Sequence, residues 1–375
     1  VSALSGSQFR AGEIISDSLF YNGGAMSSSQ IQSFLNSKVP SCDTNGTKPA
    51  SDYGRPDLTH AQYAASRGWQ SPPYTCLKNY SVSTPSKSAD SLCDAYSGGT
   101  KSAAQIIYDV GRACDISQKV LLVTLQKEQG LVADTWPLNS QYQKAMGYGC
   151  PDTSGCDSTY YGFFNQVYNA ARQFNRYKQN PEDYNALPGR TNNIRYNPKA
   201  SCKTKKVFIS TYATAGLYNY TPYTPNSAAL NNLYGSGDSC SAYGNRNFWR
   251  YYNDWFGSTL RNDPPPKFLA ADFNGDGDAD IAFRRVSTGE IFIRYGDGSG
   301  SFGSQTTFTW AGGSHFEPLA ADFNGDGDAD IALRRISTGE IYIRYGNGNG
   351  SFGSQKVFTW AGGSHFEPLA ADFNG

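Results

Sequence analysis

The chain has 375 residues, with 32 Lys+Arg against 32 Asp+Glu, so its formal net charge is zero; 38% of residues are hydrophobic and only 17% charged. No apolar run approaches the roughly 18–20 residues of a membrane-crossing helix, and no basic cluster goes beyond Lys203, Lys205 and Lys206, so neither a membrane span nor a nucleic-acid surface is expected. The charge is split, with 23 Lys+Arg and 17 Asp+Glu before residue 259 and 9 and 15 after it, and a basic front half suits an anionic polymer.

The chain starts at Val1 without Met, as a processed mature chain would. In residues 1–41, Ser27–Ser29 are placed to cap a helix carrying Ile31, Phe34 and Leu35 at helical spacing. Glu13 and Asp17 have no motif around them and read as surface carboxylates. Residues 42–100 are rich in Ser, Pro, Gly and Asn with little periodicity, so loops pinned by disulfides are expected there. The eight cysteines are Cys42, Cys76, Cys93, Cys114, Cys150, Cys156, Cys202 and Cys240. Their even number and the lack of CxxC spacing predict four disulfides and a secreted, extracellular protein. The pairing is open, with Cys150–Cys156 the first choice because it closes a short loop. His60 is the only histidine of this half and reads as structural.

Residues 101–114 predict a helix with Ala103, Ile106, Ile107 and Val110 in one stripe. A second helix follows at once, with Ser117 as N-cap, Gly130 as stop and the apolar run VLLVTL between. At about 100° per residue, Glu128 projects from the face of Leu121, Thr124 and Leu125, opposite Lys119 and Gln126. A carboxyl group on a buried face requires a proton or a partner, and desolvation suits it to be a general acid. A Gly/Tyr segment, AMGYG, follows at Ala145–Gly149, and residues 160–177 give another helix with Phe163, Val167, Ala170, Ala171 and Phe174 spaced to face a core.

The succession KVLLVTLQKEQG, AMGYG, YYGFFNQVYNAARQF resembles the goose-type lysozyme and soluble lytic transglycosylase group over roughly residues 101–180. In that group a buried helix ends on the catalytic Glu, a Gly/Tyr segment follows, and a Gly-aromatic-x-Gln entry opens the helix lining the cleft. The resemblance carries these roles to Glu128, to Gly147–Tyr148–Gly149 and to Gly162–Gln166. The longer pattern through NRNFWRYYNDWFGS looks like secreted actinobacterial proteins that join such a domain to FG-GAP repeats.

Cleaving a β-1,4 glycosidic bond requires an acid at the leaving oxygen, and flat aromatic and amide groups to hold sugar rings. Residues 136–177 supply Trp136, Tyr148, Tyr160, Tyr161, Asn165 and Gln166, and only Glu13, Glu128 and Glu182 are glutamates before residue 259. Asp134, Asp152 and Asp157 are candidates for a second carboxylate by nearness in sequence, Asp134 first. Transglycosylases of the resembled group need none, since one Glu serves as acid and base.

Residues 190–257 are aromatic-rich. FWRYYNDWF reads as a closing amphipathic helix, and Thr214–Asn226 as a sugar-binding wall, with Tyr218 or Tyr220 positioning substrate beside Glu128. Residues 258–267, with three consecutive prolines, form an extended spacer between a first domain, 1–257, and a repeat region, 268–375.

The repeat period is 50, since DFNGDGDAD begins at Asp272 and again at Asp322, and a third copy starts at Asp372. IAFRR, EIFIRYG and TTFTW read as short strands, and a period near 50 with several strands indicates a propeller blade. The acidic loop, which resembles FG-GAP (integrin-type) calcium loops, offers only oxygen donors. The side chains of Asp272, Asn274, Asp276 and Asp280 with the carbonyl of Asp278 would hold Ca²⁺; Asp322, Asn324, Asp326, Asp330 and Asp328 repeat the set. Two and a fraction blades do not close a ring, so either the chain is a fragment or blades of several chains associate. Trp310, His315 and Phe316, recurring as Trp360, His365 and Phe366, are candidate sugar contacts or inter-blade packing.

The expected fold is thus α+β: a mainly α-helical lysozyme-like domain with disulfide-pinned loops, then all-β propeller-type blades. The expected function is a secreted muramidase cleaving the MurNAc–GlcNAc bond of peptidoglycan, with a calcium-stabilised binding tail. A lytic transglycosylase, a glucosaminidase acting on other glycans and a non-catalytic calcium-dependent adhesin are the alternatives.

Overall fold

The computed structural model describes residues 4–151, 155–260, 269–285, 289–310, 316–336 and 338–360. The chain divides into two compact units, Val1–Arg261 and Asn262–Gly375, and the division falls within the predicted spacer, of which residues 261–267 lie outside the described residues.

The first unit is built on helices. Gln118–Gln129 runs through its core, with Val120 to Leu125 fully buried. It packs against Gly244–Phe256 and Ala103–Cys114, and the latter against Ser28–Lys38 and Phe163–Gln179. Burial on several sides explains the lack of a polar face between Val120 and Leu125. The helix stops where Gly130 enters the left-handed region at φ 70°, donating its N–H to Gln126. The predicted Ser117 cap is not made: its hydroxyl is buried without a hydrogen-bond partner. The Ser27 cap is a full capping box with Gln30, and FWRYYNDWF forms part of a helix.

Three other expectations change. Residues 42–100 are not loops alone, since His60–Ser66 is a helix, begun by a Thr59–Gln62 capping box, and Ser81–Thr84 pairs with Gly99–Ser102. Asp17 is not a plain surface carboxylate: it accepts the Ala213 N–H at 2.7 Å and so holds the start of the Tyr212–Tyr220 helix. Thr214–Asn226 is no exposed wall, because most of that helix is buried. The disulfides are Cys42–Cys76, Cys93–Cys114, Cys150–Cys156 and Cys202–Cys240. All four tie loops or helix ends in this unit and fit an oxidising, extracellular environment. Among the described residues, no helix is long and apolar enough to cross a membrane.

The second unit holds two antiparallel four-stranded meanders. Leu269–Ala271, Asp280–Arg284, Glu290–Gly296 and Phe302–Thr309 form the first sheet. Phe316–Ala321, Asp330–Arg335, Glu340–Gly346 and Phe352–Thr359 form the second. Both sheets are open. One small core joins them, with Phe273, Ile291 and Ile293 from the first repeat and Ile331 from the second.

Candidate functional site

Glu128 lies on the last turn of its helix. The sequence places it on the apolar face, but its side chain is 24% exposed, and its neighbour Lys127 is the buried one at 3%. Lys127 Nζ is 2.7 Å from Glu128 Oε1 and donates to Thr221 Oγ1 at 2.8 Å. The other carboxylate oxygen faces Gly147, where an added Cβ would stand 2.6 Å from Oε2. Gly147 also has φ 67°, a left-handed conformation that favours glycine, and a Cβ there would displace the Glu128 carboxylate.

Gln166 fixes that Gly147 segment. Fully buried, it accepts the N–H groups of Met146 and Tyr148 at 3.1 and 3.0 Å and donates to the carbonyls of Tyr148 and Tyr160 at 2.9 and 2.8 Å. All four amide hydrogen-bond positions it can readily fill are taken, so it positions the loop and has nothing left for a sugar. Tyr220 supports the same segment from another side: its hydroxyl donates to the Met146 carbonyl at 2.7 Å, and its ring stacks on Phe174 at 4.9 Å. Burial, and then the charge of Glu128, hold the Tyr220 hydroxyl well above its usual range, so it stays a protonated donor.

The other predicted residues divide. Tyr148 stands edge-on to Tyr160 at 4.8 Å, half-buried beside this loop. Tyr161 lies under Lys144, and Asn165 donates to the Tyr161 carbonyl at 3.0 Å. Tyr218 is core: its hydroxyl donates to Ala11 O at 2.8 Å and meets Thr224 Oγ1 at 3.2 Å. Asp134 accepts the Trp136 N–H at 2.9 Å and the Gln141 side-chain amide at 2.8 Å. Gln141 also donates to the Gln129 carbonyl at 2.8 Å, which ties Asp134 to the end of the Glu128 helix. Burial raises the Asp134 carboxyl above its usual value, against those two hydrogen bonds.

Sequence reasoning missed Lys127 and a polar nest around His60. Residues i and i+1 do not face each other on a helix, so nothing in the pattern points from Lys127 to Glu128; the long flexible stem makes the contact. His60 is buried, with Nδ1 2.7 Å from Asp43 and Nε2 3.3 Å from Asp52, and stacks on Trp136 at 4.4 Å. Burial would push Asp43 up, but the Lys48 and Thr47 N–H groups and the His60 ring outweigh it and hold the carboxyl below its usual value. His60 is therefore structural, as its isolation in the sequence suggests. A cavity of 280 Å³ beside the Cys93–Cys114 bridge, lined by Asp90, Asp115, Asn175 and Lys178 among others, contains none of the predicted site residues.

In the repeats, Asp272 accepts the N–H groups of Gly275 and Gly277 at 2.7 and 2.8 Å. Asp276 accepts from Asp278 N and the Asn274 amide. Asp280 is fully buried and clamps two backbone N–H groups, Phe273 at 2.7 Å and Gly296 at 2.9 Å. Asp322, Asn324, Asp326, Asp328 and Asp330 repeat the pattern, Asp330 clamping Phe323 and Gly346. The donor set is oxygen-only, the kind that suits calcium, and each oxygen of Asp280 and Asp330 accepts one backbone N–H. Among the described residues, however, no three acidic side chains converge closely enough to hold an ion. Asp372 and Asn374 lie outside the described residues.

A family model described as FG-GAP-like repeat matches residues 272–333 and 322–375. The C-terminal region therefore contains FG-GAP-like repeats. No curated protein matches the chain. A solved structure concerning specific recognition of non-reducing terminal N-acetylglucosamine by an Agrocybe aegerita lectin is 24% identical over 28% of this chain, with a TM-score of 0.22. The chain covers 26% of that protein's length.

Proposed function

We propose that the protein is a secreted glycosidase acting on the MurNAc–GlcNAc β-1,4 bond of peptidoglycan, its first unit carrying the chemistry and its repeats binding glycan or cell surface. The observation that carries this reading is the Glu128 carboxylate: mostly buried yet reached by solvent at the end of a core helix, with one oxygen against a glycine loop that Gln166 and Tyr220 hold in place. Glu128 is the acid. Lys127 occupies Oε1, so Oε2, facing Gly147, is the oxygen left to carry the proton to the leaving sugar. Asp134, tied to the same helix end by Gln141, is the second carboxylate of a hydrolase; a transglycosylase would use Glu128 alone.

Mass spectrometry of products released from purified peptidoglycan tests this. Glu128→Gln is expected to lower product release by about 10²–10⁴-fold, the usual worth of a general acid. Reducing products from the wild type mean hydrolysis, anhydro products mean transglycosylation, and full activity in the variant overturns the assignment.

One observation favours a second reading, a non-catalytic adhesin: the ammonium of a buried lysine neutralises Glu128. Glycan binding by both proteins without product from either is its expected signature.

Calcium is the ion proposed for the acidic loops, on donor chemistry. Binding would draw the Asn274 and Asp276 side chains and the Asp278 carbonyl toward Asp272. Calcium is expected to raise the melting temperature of the repeat unit and EDTA to reverse it; an unchanged transition rules it out.

A further inference from the structure

No Asp or Glu stands between Asp183 and Asp238, a stretch that carries Arg190, Arg195, Lys199, Lys203, Lys205 and Lys206. These cations gather on one antiparallel ribbon, Arg190–Arg195 paired with Thr204–Ile209, and on the connection between its strands. Asn192, Ile194, Val207 and Ile209 are buried, so the opposite face of the ribbon is the one in water. That face pairs Thr191 with Phe208, Asn193 with Lys206 and Arg195 with Thr204, and all six are exposed. Lys199, Lys203 and Lys205 are exposed around it.

Arg195 and Lys206 are diagonal neighbours across the two strands, which sets them about 7–8 Å apart. Among the described residues, only Arg190 of the six cations forms an ion pair, with Glu182 at 2.6 Å. Asp238, beyond the Cys202–Cys240 bridge, is already engaged: it accepts the Cys240 N–H at 3.0 Å and the Asn226 amide at 2.8 Å. Lys203 also has φ 67° and ψ −170°, a conformation that a residue with a Cβ adopts only at a cost. It is held there by the bridge at Cys202, by its own N–H on the Ala200 carbonyl at 3.2 Å and by the Tyr196 N–H on its carbonyl at 3.3 Å. Like charges side by side without acids, one of them on strained backbone, cost folding free energy. An anion that meets several of them at once offsets that cost, and a polymer does so better than a single ion.

We propose that this ribbon binds an extended phosphodiester polyanion of the extracellular surface, a polyol-phosphate chain whose phosphates meet Arg195, Lys203, Lys205 and Lys206. The four disulfides fit an extracellular setting for such a partner. The two strands carry one aromatic residue, Phe208, and so lack the series of platforms on which successive bases of a single-stranded nucleic acid stack. A polyol-phosphate chain has no bases and asks only for cations at intervals along its length. The site is separate from Glu128 and requires no cleavage there.

Fluorescence anisotropy of a labelled synthetic poly(glycerol phosphate), titrated with the full chain at several salt concentrations, tests this. The wild type is expected to bind, with an affinity that falls steeply as salt rises. Lys203→Gln, Lys205→Gln and Lys206→Gln together, all at exposed sites, are expected to weaken binding about tenfold or more and to flatten the salt dependence. Arginine at the same three positions is expected to restore both. Removing three exposed cations elsewhere in the first unit, with Lys48→Gln, Arg55→Gln and Arg67→Gln, is expected to change affinity by less than about twofold at roughly 0.1 M salt. Absence of wild-type binding overturns the proposal, as does an unchanged affinity in the ribbon variant. An equal loss in both triple variants overturns it too, because net charge alone would then explain the binding. Tighter binding of single-stranded DNA with the same number of phosphates would make the ribbon a nucleic-acid surface instead.

Discussion

The two units are held by different means. The first has a single large helical core and four disulfides, and its loops depend on partners far away in sequence. The repeats have no cysteine and a small core, and each acidic loop is closed by carboxylates on backbone N–H groups within about 25 residues. Covalent ties, two of them with sequence separations of 34 and 38, organise one unit; short-range charge-assisted hydrogen bonds, written twice, organise the other.

That contrast predicts where each unit breaks. The largest effect comes from Cys42→Ser with Cys76→Ser: removing a bridge with a sequence separation of 34 is expected to cost about 4 kcal/mol. Calorimetry should show the first unit's transition falling and the repeat transition unmoved; a fall in both would erase the distinction. Asp280→Ala reverses the pattern. It leaves the Phe273 and Gly296 N–H groups without their acceptor, at about 1–3 kcal/mol for a buried one. The repeat transition falls and the first unit's stays. The smallest effect is a pH dependence in the first unit. Asp134 has its carboxyl raised by burial, so its folded form is favoured while protonated, and stability is lost as pH rises through that raised value. Asp134→Asn should therefore flatten the decline of the first unit's melting temperature above the usual carboxylate range. An unaltered slope would mean that Asp134 contributes nothing to it.

What was legible in the sequence follows the same divide. Local patterns read well: Gly130 ends its helix, Ser27 caps one, and the 50-residue period places the strands of both repeats. Features set by distant partners did not. Asp17 looks like an isolated surface carboxylate because the N–H it caps belongs to Ala213, 196 positions on. Tyr218 belongs to a Tyr-rich run that reads as a sugar wall, but its hydroxyl is satisfied by Ala11 and it sinks into the core. At the candidate site, the spacing singles out the Gly147 segment and Gln166 but does not tell that the Gln166 amide is spent on the backbone of Met146, Tyr148 and Tyr160. Lys127 was not found, because its relation to Glu128 depends on a rotamer and not on a periodicity. In the acidic loops the spacing of Asp280 and Asp330 points to a ligand pattern but not to the two backbone N–H groups that each of them also holds.

The reach of Asp280 has one more consequence. From its place on the second strand it fastens residue 273 before it and residue 296 after it, and Asp330 does likewise with 323 and 346. Both fastenings begin and end inside one copy of the motif. Duplication or excision of a whole 50-residue copy would leave the clasp of every remaining copy intact, so the number of copies is free to drift in evolution while the design of each is kept.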